Sequence, residues 1–501
     1  MSTQTLLRVS CNDADAITAL AKIIPGMEAG FNINAVHGDI SINGDDAKAM
    51  SQLLSKLLLD RIHPQSVIAV PKKANPDLKK ALNVLKSVMS FASRDWPKSL
   101  NGGEAVFQFD GQSFTYNSIE GATVGVTLPP GQAALASPVH LPVKLIKAAL
   151  FARPGHLAVD PDARTINGVK FDPDFRFDGV LAPLDVHRHF ASVKTIVDVP
   201  LGQEISGVRM AEGQDDIRYW LNGLCFDLGN HALVATNGHR MHVANSATLP
   251  SFDSAVLNEL LPKHPEDKRL IIPSWQMQLF NVIGATELKV GRFPDHPKGT
   301  LPLPGWGHPD ENSQALLVRA VGPYGFFAGK SMDASYPDWR RVLESSKDVS
   351  TKRTTAKSLE AAIEEQLSNG DPVSQTMLAW RADYPRTVQI DQSAADDLRR
   401  YIRAEKASGQ SVRTNPLVIV DLKAGQVVSV EGAFLPLKIE LSIKDHLEYA
   451  ADRDDHLIGV QASYLADAIE YLGSTEWTIC KSATLTGSRG ALSAVVMPCK
   501  L

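Results

Sequence analysis

A histidine and an arginine lie side by side in the stretch LVATNGHRMH, which runs from Leu233 to His242. Apolar and small residues lead into Asn237-Gly238, a dipeptide typical of turns, and His239-Arg240 follows at once. Such a pair suits three kinds of chemistry: a catalytic histidine, a contact to nucleic acid, or the wall of a ligand pocket. The rest of the sequence has to distinguish between these three.

Catalysis at His239 would require a nucleophile or a carboxylate as its partner. The sequence contains no GxSxG, HExxH or Walker A motif, and no paired carboxylates near another histidine. Its four cysteines are scattered and form no CxxC pair, which argues against a zinc site and against a disulfide framework. We therefore expect no enzyme, no catalytic residue, no metal and no cofactor, and we interpret the cysteines as thiols in a reducing cytoplasm.

The composition is that of a globular protein with several domains. A chain of 501 residues is too long for one core, and its 44% hydrophobic and 21% charged residues are ordinary values. The sequence has no apolar run long enough to span a membrane and no visible secretory signal, so we expect a cytoplasmic protein without a membrane partner. A net charge of −5 argues against a protein that coats nucleic acid, unless its basic residues are gathered on one face.

The first 72 residues have the pattern of a small α/β unit. LLRVSC is strand-like, DADAITALAKII and AKAMSQLLSKLLLDRI are helical, and FNINAVHGDISING alternates as a hairpin does. PKKANPD, at 71–77, has the composition of a linker. Asn75-Pro76 then opens a helix whose outer stripe carries Lys79, Lys86 and Arg94 and no acidic residue.

Three later segments resemble one another. LPVKLIKAALFARPGHLAVD begins at Leu141, IPSWQMQLFNVIGATELKVG at Ile272 and VQASYLADAIEYLGSTEWTIC at Val460. Each predicts the end of a strand, a helix of about ten residues with apolar positions three or four apart, and a second strand. The sequence therefore carries a weak internal repeat of long period. The longer second interval contains two segments that we interpret as insertions, at 294–313 and 347–372.

Another predicted helix, at 393–408, buries Leu398 and Ile402 and turns a basic stripe outward. The stripe consists of Arg399, Arg403 and Lys406, with Arg400 alongside. Such a stripe is either a face that contacts phosphates or, as charged helical faces usually are, a solvated surface. The middle repeat has only the shorter and less helical segment GVRMAEGQDDIRYWLN in the corresponding place.

Four short motifs stand out in order along the chain: RYWLNG at 218–223, VATNGHRM at 234–241, SYPDWRRVL at 335–343 and VVMPCKL at 495–501. Together they resemble motifs of the bacterial DNA polymerase III beta subunit family, the beta sliding clamps. The resemblance covers about residues 76–501, interrupted by the two insertions, whereas residues 1–70 have no counterpart. Each motif is short, so the weight of the resemblance comes from their order and number.

The resemblance implies an α+β fold of three repeated sliding-clamp domains, each with two helices packed on antiparallel sheets. Together the three domains would form half of a ring, preceded by the small N-terminal α/β unit. The expected boundaries are 1–72 for this accessory unit and 76–197, 198–345 and 346–501 for clamp domains 1, 2 and 3. The two insertions would fall in domains 2 and 3.

The resemblance also implies a DNA sliding clamp, a homodimeric ring that encircles duplex DNA and confers processivity on a replicative DNA polymerase. Helices would line the hole and attract phosphates over long range without reading the base sequence. Two aromatic residues would touch DNA at the edge of the hole. The residues expected to contact DNA are Lys79, Lys86, Arg94, Lys144, Lys147, Gln214, Tyr219, Trp220, Arg399, Arg400, Arg403 and Lys406.

On the same resemblance, the opening stretch walls a groove for short linear peptides of polymerase, clamp loader and repair proteins. An apolar floor would hold Leu or Phe anchors while polar rim groups fix the peptide backbone, so His239 would be a rim residue rather than a base. The expected groove residues are Leu221, Thr236, Gly238, His239, Arg240, Met241, Pro337, Arg341, Val342, Val495, Met497, Pro498, Cys499, Lys500 and Leu501.

The sequence departs from the family pattern at several of these positions. Asn237 replaces the usual Asp, Met241 replaces Leu, and Cys499-Lys500 replaces Met-Arg. Each change keeps the local chemical character, so we expect the groove to survive with an altered peptide preference. The N-terminal unit and the insertions leave a second function open, a clamp-like adaptor or decoy that keeps the groove but does not encircle DNA.

Overall fold

In a computed structural model, the chain divides into two compact units, Met1–Ala74 and Asn75–Leu501. The structure describes residues 76–95, 104–172, 196–292, 316–343, 386–409, 415–443, 457–479 and 484–499, with short gaps inside some of these ranges. It also describes residues 368–369 and the backbone of three strands in the first unit. The boundaries of clamp domains inside the second unit stay a prediction.

The first unit contains a three-stranded antiparallel sheet. Its strands are β1 (Leu7–Ser10), β2 (Phe31–Asn34) and β3 (Asp39–Ile42). β3 lies between the other two, and Asn34 pairs with Asp39 where the β2–β3 hairpin closes. The predicted strand LLRVSC and the predicted hairpin are therefore confirmed. The two helices predicted for this unit lie outside the described residues.

The helices and strands of the second unit follow in three stretches. The first contains α1 (Pro76–Asp95), β4 (Val106–Phe109), β5 (Ser113–Asn117), β6 (Thr123–Thr127), β7 (Val139–Pro142), α2 (Val143–Ala152), β8 (Val159–Asp160), β9 (Thr165–Ile166) and β10 (Val169–Lys170). The second contains β11 (Ile196–Pro200), α3 (Glu204–Arg209), a 3₁₀ turn (Tyr219–Leu221), β12 (Gly223–Asp227), β13 (Ala232–Thr236), β14 (Arg240–Asn245), α4 (Ser254–Leu260), β15 (Arg269–Pro273), α5 (Ser274–Ile283), β16 (Glu287–Gly291), β17 (Leu317–Gly322) and β18 (Gly325–Lys330). The third contains β19 (Arg386–Ile390), α6 (Ser393–Ser408), β20 (Leu417–Asp421), β21 (Gln426–Ser429), β22 (Lys438–Glu440), β23 (Ser442–Ile443), β24 (Leu457–Gln461), α7 (Ala462–Leu472), β25 (Thr475–Ile479), β26 (Leu485–Arg489) and β27 (Leu492–Val496).

Two long antiparallel sheets join parts of the chain that are far apart in sequence. One has eight strands in the order β11-β16-β17-β18-β6-β5-β4-β7, and the other has nine in the order β15-β12-β13-β14-β27-β26-β25-β19-β23. β18 pairs with β6 in the first sheet, and β14 pairs with β27 in the second. A four-stranded sheet, β22-β21-β20-β24, and the short sheet β10-β9-β8 complete the described strands.

The three segments predicted as repeats each form a strand, a helix and a second strand. β7, β15 and β24 run directly into α2, α5 and α7, and β8, β16 and β25 follow these helices. The residue before each helix, Pro142, Pro273 or Gln461, has non-helical backbone angles and no side-chain cap. The local pattern of the repeat is therefore confirmed. In the middle repeat, α3 spans six residues and shares only 207–209 with the segment GVRMAEGQDDIRYWLN, which otherwise holds a 3₁₀ turn and agrees with the prediction that it is less helical.

α1 confirms the amphipathic helix predicted from Asn75-Pro76. Its apolar face, which includes Leu82 and Leu85, is buried in a core shared with the eight-stranded sheet. On α1, Phe91 stacks on Trp275 of α5 with ring centroids 5.2 Å apart. The opposite face of α1 leaves its basic stripe exposed, so burial of the apolar face fixes which way the lysines point.

α6 likewise confirms the helix predicted at 393–408, with Leu398 and Ile402 buried. The predicted insertions at 294–313 and 347–372 lie outside the described residues, apart from residues 368–369. Among the described helices, none is long and apolar enough to cross a membrane.

Candidate functional site

The β14–β27 pair brings two of the sequence motifs together. Arg240 pairs with Val496 and Met241 with Val495 along this antiparallel ladder. Beyond the ladder, the backbone N–H of Met497 donates to the carbonyl of His239 at 2.8 Å. VATNGHRM and the start of VVMPCKL, which are distant in sequence, therefore form one continuous wall.

The Asn237-Gly238 turn at the start of β14 is held by side-chain hydrogen bonds. Asn237 Oδ1 accepts from the backbone N–H groups of His239 and Arg240, each at 3.0 Å. Gly238 has φ +82°, and a Cβ there would lie 2.7 Å from Arg218 Nη1. Only glycine suits both the backbone conformation and the close approach of Arg218. The side-chain oxygen Oδ1, which Asn and Asp have in common, is therefore the atom that closes this turn.

The segment around Tyr336 forms an opposite wall and is fixed by a buried ion pair. Arg269 Nε lies 3.3 Å from Asp227 Oδ2, and both side chains are almost fully buried. The indole N–H of Trp339 donates to the same Asp227 oxygen at 2.9 Å, and Arg269 donates to the carbonyl of Tyr336 at 2.9 Å. Removing one partner of a buried ion pair is costly because the other charge is left uncompensated. The pair therefore holds residues 336–339, the YPDW segment, against β12 and β15.

The 3₁₀ turn Tyr219–Leu221 forms a third wall. Trp220 and Leu221 face the space between the other walls, whereas Tyr219 is 51% exposed and donates its hydroxyl hydrogen to the Asp333 carbonyl at 3.2 Å. Arg218 forms an ion pair with Asp216 at 2.8 Å, and hydrogen bonds from Arg218 lower the pKa of Asp216 to about 2. The turn therefore divides two adjacent aromatic residues between the cavity and the outer surface.

These walls enclose a cavity of about 320 Å³, a volume within the range of small-ligand sites. The cavity is mostly apolar. Nine residues predicted for the groove line it: Leu221, Thr236, Gly238, Arg240, Met241, Pro337, Val342, Val495 and Met497. Five other residues also line it: Arg218, Trp220, Tyr336, Asp338 and Trp339. These five lie within the motifs RYWLNG and SYPDWRRVL, so the motifs themselves were the signal that could have placed them here.

Other residues predicted for the groove do not line this cavity. His239 is exposed, and its ring lies parallel to that of Tyr464 with centroids 6.4 Å apart. The Arg341 side chain is 84% exposed and pairs with Asp338 at 3.4 Å. Pro498 and Cys499 continue the chain beyond the cavity, and Cys499 donates its backbone N–H to the Gly459 carbonyl at 2.7 Å. Lys500 and Leu501 lie outside the described residues.

Arg240 is the most constrained charged residue of the cavity wall. It forms an ion pair with Asp467 of α7, and its guanidinium carbon lies 4.5 Å from the centre of the Tyr464 ring. Burial lowers the pKa of Arg240 to about 10, while the nearby Tyr464 raises it and Arg399 lowers it further. Arg240 is therefore a cation at neutral pH whose charge is already compensated inside the protein.

His242, two residues along β14, is interior rather than part of the cavity. Its Nδ1 lies 2.9 Å from the Gly207 carbonyl, and its ring stacks on Tyr471 with centroids 4.5 Å apart. Burial lowers its pKa to about 3, the Gly207 hydrogen bond opposes this, and Arg240 adds to it. The ring is therefore neutral at physiological pH, and its Nδ1 donates to Gly207.

The residues predicted to contact DNA occupy several places. Nine are exposed: Lys79, Lys86, Arg94, Lys144, Lys147, Gln214, Tyr219, Arg403 and Lys406. Exposed Arg400 pairs with Asp397 on its own helix, and half-buried Arg399 pairs with Asp467 and Glu470 of α7. Trp220 lines the cavity. These placements leave DNA contact by the whole set as a prediction.

Comparison with known proteins gives one consistent name. No family model matches the chain. It is 27% identical over 198 residues to the beta sliding clamp of Vibrio cholerae, which covers 38% of this chain and 43% of that protein. It is 29% identical over 140 residues to the beta sliding clamp of Haemophilus influenzae, which covers 24% of this chain and 38% of that protein. The chain thus spans less than half the length of these curated relatives.

A solved structure assigned as a DNA polymerase III beta subunit of Eubacterium rectale has a similar fold. The superposition has a TM-score of 0.50 at 11% identity and covers 84% of this chain and 96% of that chain. At this identity the likeness bears on the fold alone. It confirms the fold class predicted from the four motifs.

Proposed function

We propose, from the premise that this chain is a divergent member of the beta sliding clamp family, that it is a non-enzymatic sliding clamp for a replicative DNA polymerase. In this role it closes with a second copy into a ring around duplex DNA. The ring tethers the polymerase and raises its effective concentration at the DNA, so a modest affinity suffices for processive synthesis.

The observation that carries this proposal is the apolar cavity between β14, β27, the 3₁₀ turn and the YPDW segment. Leu221, Met241 and Val495 supply side chains that suit a Leu or Phe anchor of a client peptide. Arg218 and Thr236 at the wall offer polar groups for the peptide backbone. Client peptides of polymerase, loader and repair proteins would all compete for this one site.

The exposed basic helix faces support the proposal that the ring binds DNA through its phosphates. α1 presents Lys79, Lys86 and Arg94 on its solvent side. Its acidic residues are Asp77 in the first turn and Asp95 at the end, where Asp95 accepts hydrogen bonds from Tyr116 and Ser118. Lysines and arginines on a helix attract phosphates without hydrogen bonds to base edges, which allows sliding. The overall negative charge of the chain then disfavours nonspecific coating of nucleic acid elsewhere on the surface.

Ring closure requires that one end of each chain be complementary to the opposite end of its partner, so that two contacts close the ring. The four-stranded sheet ends at β22, which pairs only with β21 among the described strands. In the loop between these two strands, Phe434 is 57% exposed. An open sheet edge beside an exposed aromatic residue is a surface that another chain can cover. Sedimentation velocity checks this part of the proposal, because the ring requires a dimer of the full chain.

Retention on circular DNA tests the proposal as a whole. The protein is incubated with nicked circular plasmid, passed through a sizing column in high salt, and assayed for plasmid-bound protein before and after the circle is cut. A sliding ring remains on the circle and is lost after linearisation. Equal retention on circular and linear plasmid, or no retention on either, contradicts encirclement. Peptide binding without topological retention would instead identify an adaptor.

A further inference from the structure

Asp467 of α7 is shared between two arginines on different elements. Its Oδ2 accepts from Arg240 Nη1 of β14, and its Oδ1 accepts from Arg399 Nη2 of α6. The carboxylate is only 8% exposed. One buried anion is therefore the counter-ion of an arginine in the cavity wall and of an arginine in the basic stripe of α6.

The two arginines differ in what can reach them. Arg240 is 9% exposed and lines the cavity, and its Nε is buried with no hydrogen-bond partner in the described part of the chain. A buried N–H without an acceptor is costly, so a small movement of the guanidinium that brings Nε to a carbonyl of a bound peptide would be favourable. The Arg399 side chain is 35% exposed, and it also pairs at 2.8 Å with Glu470, whose side chain is 53% exposed. An external phosphate can therefore approach Arg399 but not Asp467.

We propose that Asp467 couples phosphate binding at Arg399 to peptide binding in the cavity, and that it acts as a positioning residue for Arg240. The inference rests on the proposed function and adds a regulation of the same site. DNA that occupies Arg399 weakens the grip of the cavity on a client peptide. By reciprocity, a bound peptide weakens the hold of Arg399 on DNA by the same factor.

The sign of the coupling follows from the charges. Arg240, Asp467, Arg399 and Glu470 together carry no net charge. A phosphate on Arg399 adds negative charge and competes with Asp467 for that guanidinium. Asp467 then interacts with Arg240 alone and compensates its charge more completely, so Arg240 Nε becomes a weaker donor to a peptide carbonyl. Burial strengthens each of these interactions relative to water.

The test measures peptide affinity with and without DNA. A fluorescein-labelled hexapeptide with Leu and Phe anchors and uncharged side chains is titrated with the full chain, by fluorescence anisotropy, at constant ionic strength. The titration is repeated with a saturating short linear DNA duplex, whose binding is followed with a second dye. The duplex should raise the Kd of the peptide about fivefold, within the usual range of coupling between two sites.

Two substitutions at one position separate coupling from general screening. Arg399→Gln should weaken peptide binding without DNA and make it independent of the duplex. Arg399→Lys keeps the charge and should restore the dependence. Lys289→Gln removes one charge from a partly exposed residue of β16 that pairs with Asp198, and it should keep the wild-type dependence. Asp467→Asn should abolish the dependence; if it fails to fold, the two Arg399 variants still decide.

Each failure has a distinct meaning. A peptide Kd that is unchanged or lowered by the duplex, or a dependence that survives in Arg399→Gln, overturns the coupling while the peptide site stands. Absence of peptide binding to the wild-type chain without DNA contradicts the proposed function itself. Absence of duplex binding to the wild-type chain overturns the coupling, whereas encirclement is decided by the circular plasmid because a ring can slide off a linear duplex.

Discussion

Trp339 donates its indole N–H to Asp227 at 2.9 Å, across 112 positions of sequence. This hydrogen bond connects the YPDW segment to the end of β12. β12 pairs in turn with β13 and β15 in the same sheet. The Asp227 carboxylate also accepts hydrogen bonds from the side chains of Arg269 and Asn230, so it connects several elements on one side of the site. The cavity thus depends on a residue that does not line it.

Trp339→Phe should lower the free energy of unfolding by about 2–3 kcal/mol, because a buried hydrogen bond to a charged group is lost. Urea unfolding followed by circular dichroism measures the change. Tyr219→Phe is the matched control, since it removes an exposed aromatic hydrogen bond to Asp333, and it should change stability by less than about 0.5 kcal/mol. Equal effects of the two substitutions would contradict the role given to Asp227.

Gly238→Ala should weaken binding of the Leu/Phe hexapeptide about tenfold, equivalent to roughly 1.4 kcal/mol. The new Cβ would lie 2.7 Å from Arg218 Nη1 and force that side chain to move at the cavity wall. Gly490→Ala is the control, because Gly490 also has a positive φ, +58°, but has open space around its Cβ position. Both variants incur backbone strain, so only the first should change the peptide affinity measured by anisotropy.

His242 should make stability depend on pH in the acid range. Its pKa is about 3 in the folded chain and 6.5 as the ordinary value, so only the unfolded state binds a proton between these limits. The folded state is therefore favoured fully above pH 6.5 and loses stability as the pH falls toward 3, by up to about 1.4 kcal/mol per pH unit. His242→Asn removes this titration. The difference between the two unfolding free energies, measured from pH 7.5 down to pH 5, isolates it; a difference independent of pH would show that the ring is not held neutral.

Substituting Lys79 and Lys86 together with Gln should reduce the dependence of duplex binding on salt. Each lost phosphate contact lowers the slope of log Kd against log salt concentration by about 1. The control replaces Lys289 of β16, which pairs with Asp198, and exposed Lys170 of β10, and it has the same net charge. If both double variants change the slope equally, the attraction comes from overall charge and not from the face of α1.

The local elements of the second unit were predictable because they depend on short-range periodicity. Apolar spacing in α1 and in α6 gave both helices and the direction of their basic faces, except that Arg399 of α6 is half-buried against α7. The orientation of Trp220 was harder to predict. Adjacent side chains point in different directions in a 3₁₀ turn, and the sequence alone does not show which of them faces the cavity. The predicted contact of Trp220 with DNA therefore stays open, while its place in the cavity wall is a finding.

The ion pair that compensates the charge of Arg240 could not be predicted from sequence patterns, for a different reason. Its partner Asp467 lies 227 positions away, and no local periodicity connects β14 with α7. Groove residues from all four motifs could be grouped only through the resemblance to a family. Physical reasoning from the residues alone left three interpretations for His239-Arg240. The pairing of β14 with β27 favours the pocket wall among them.

The pairing of β14 with β27 also has a consequence for biosynthesis. β27 leaves the ribosome after every other described strand, so until then β14 presents an uncovered edge of the growing sheet. A nascent chain halted before β27 lacks the cavity wall that Val495 supplies, so on the proposed function it should not bind a client peptide. The same stalled chain exposes a β-edge to its neighbours, so interrupted translation should yield aggregates in place of partly active protein.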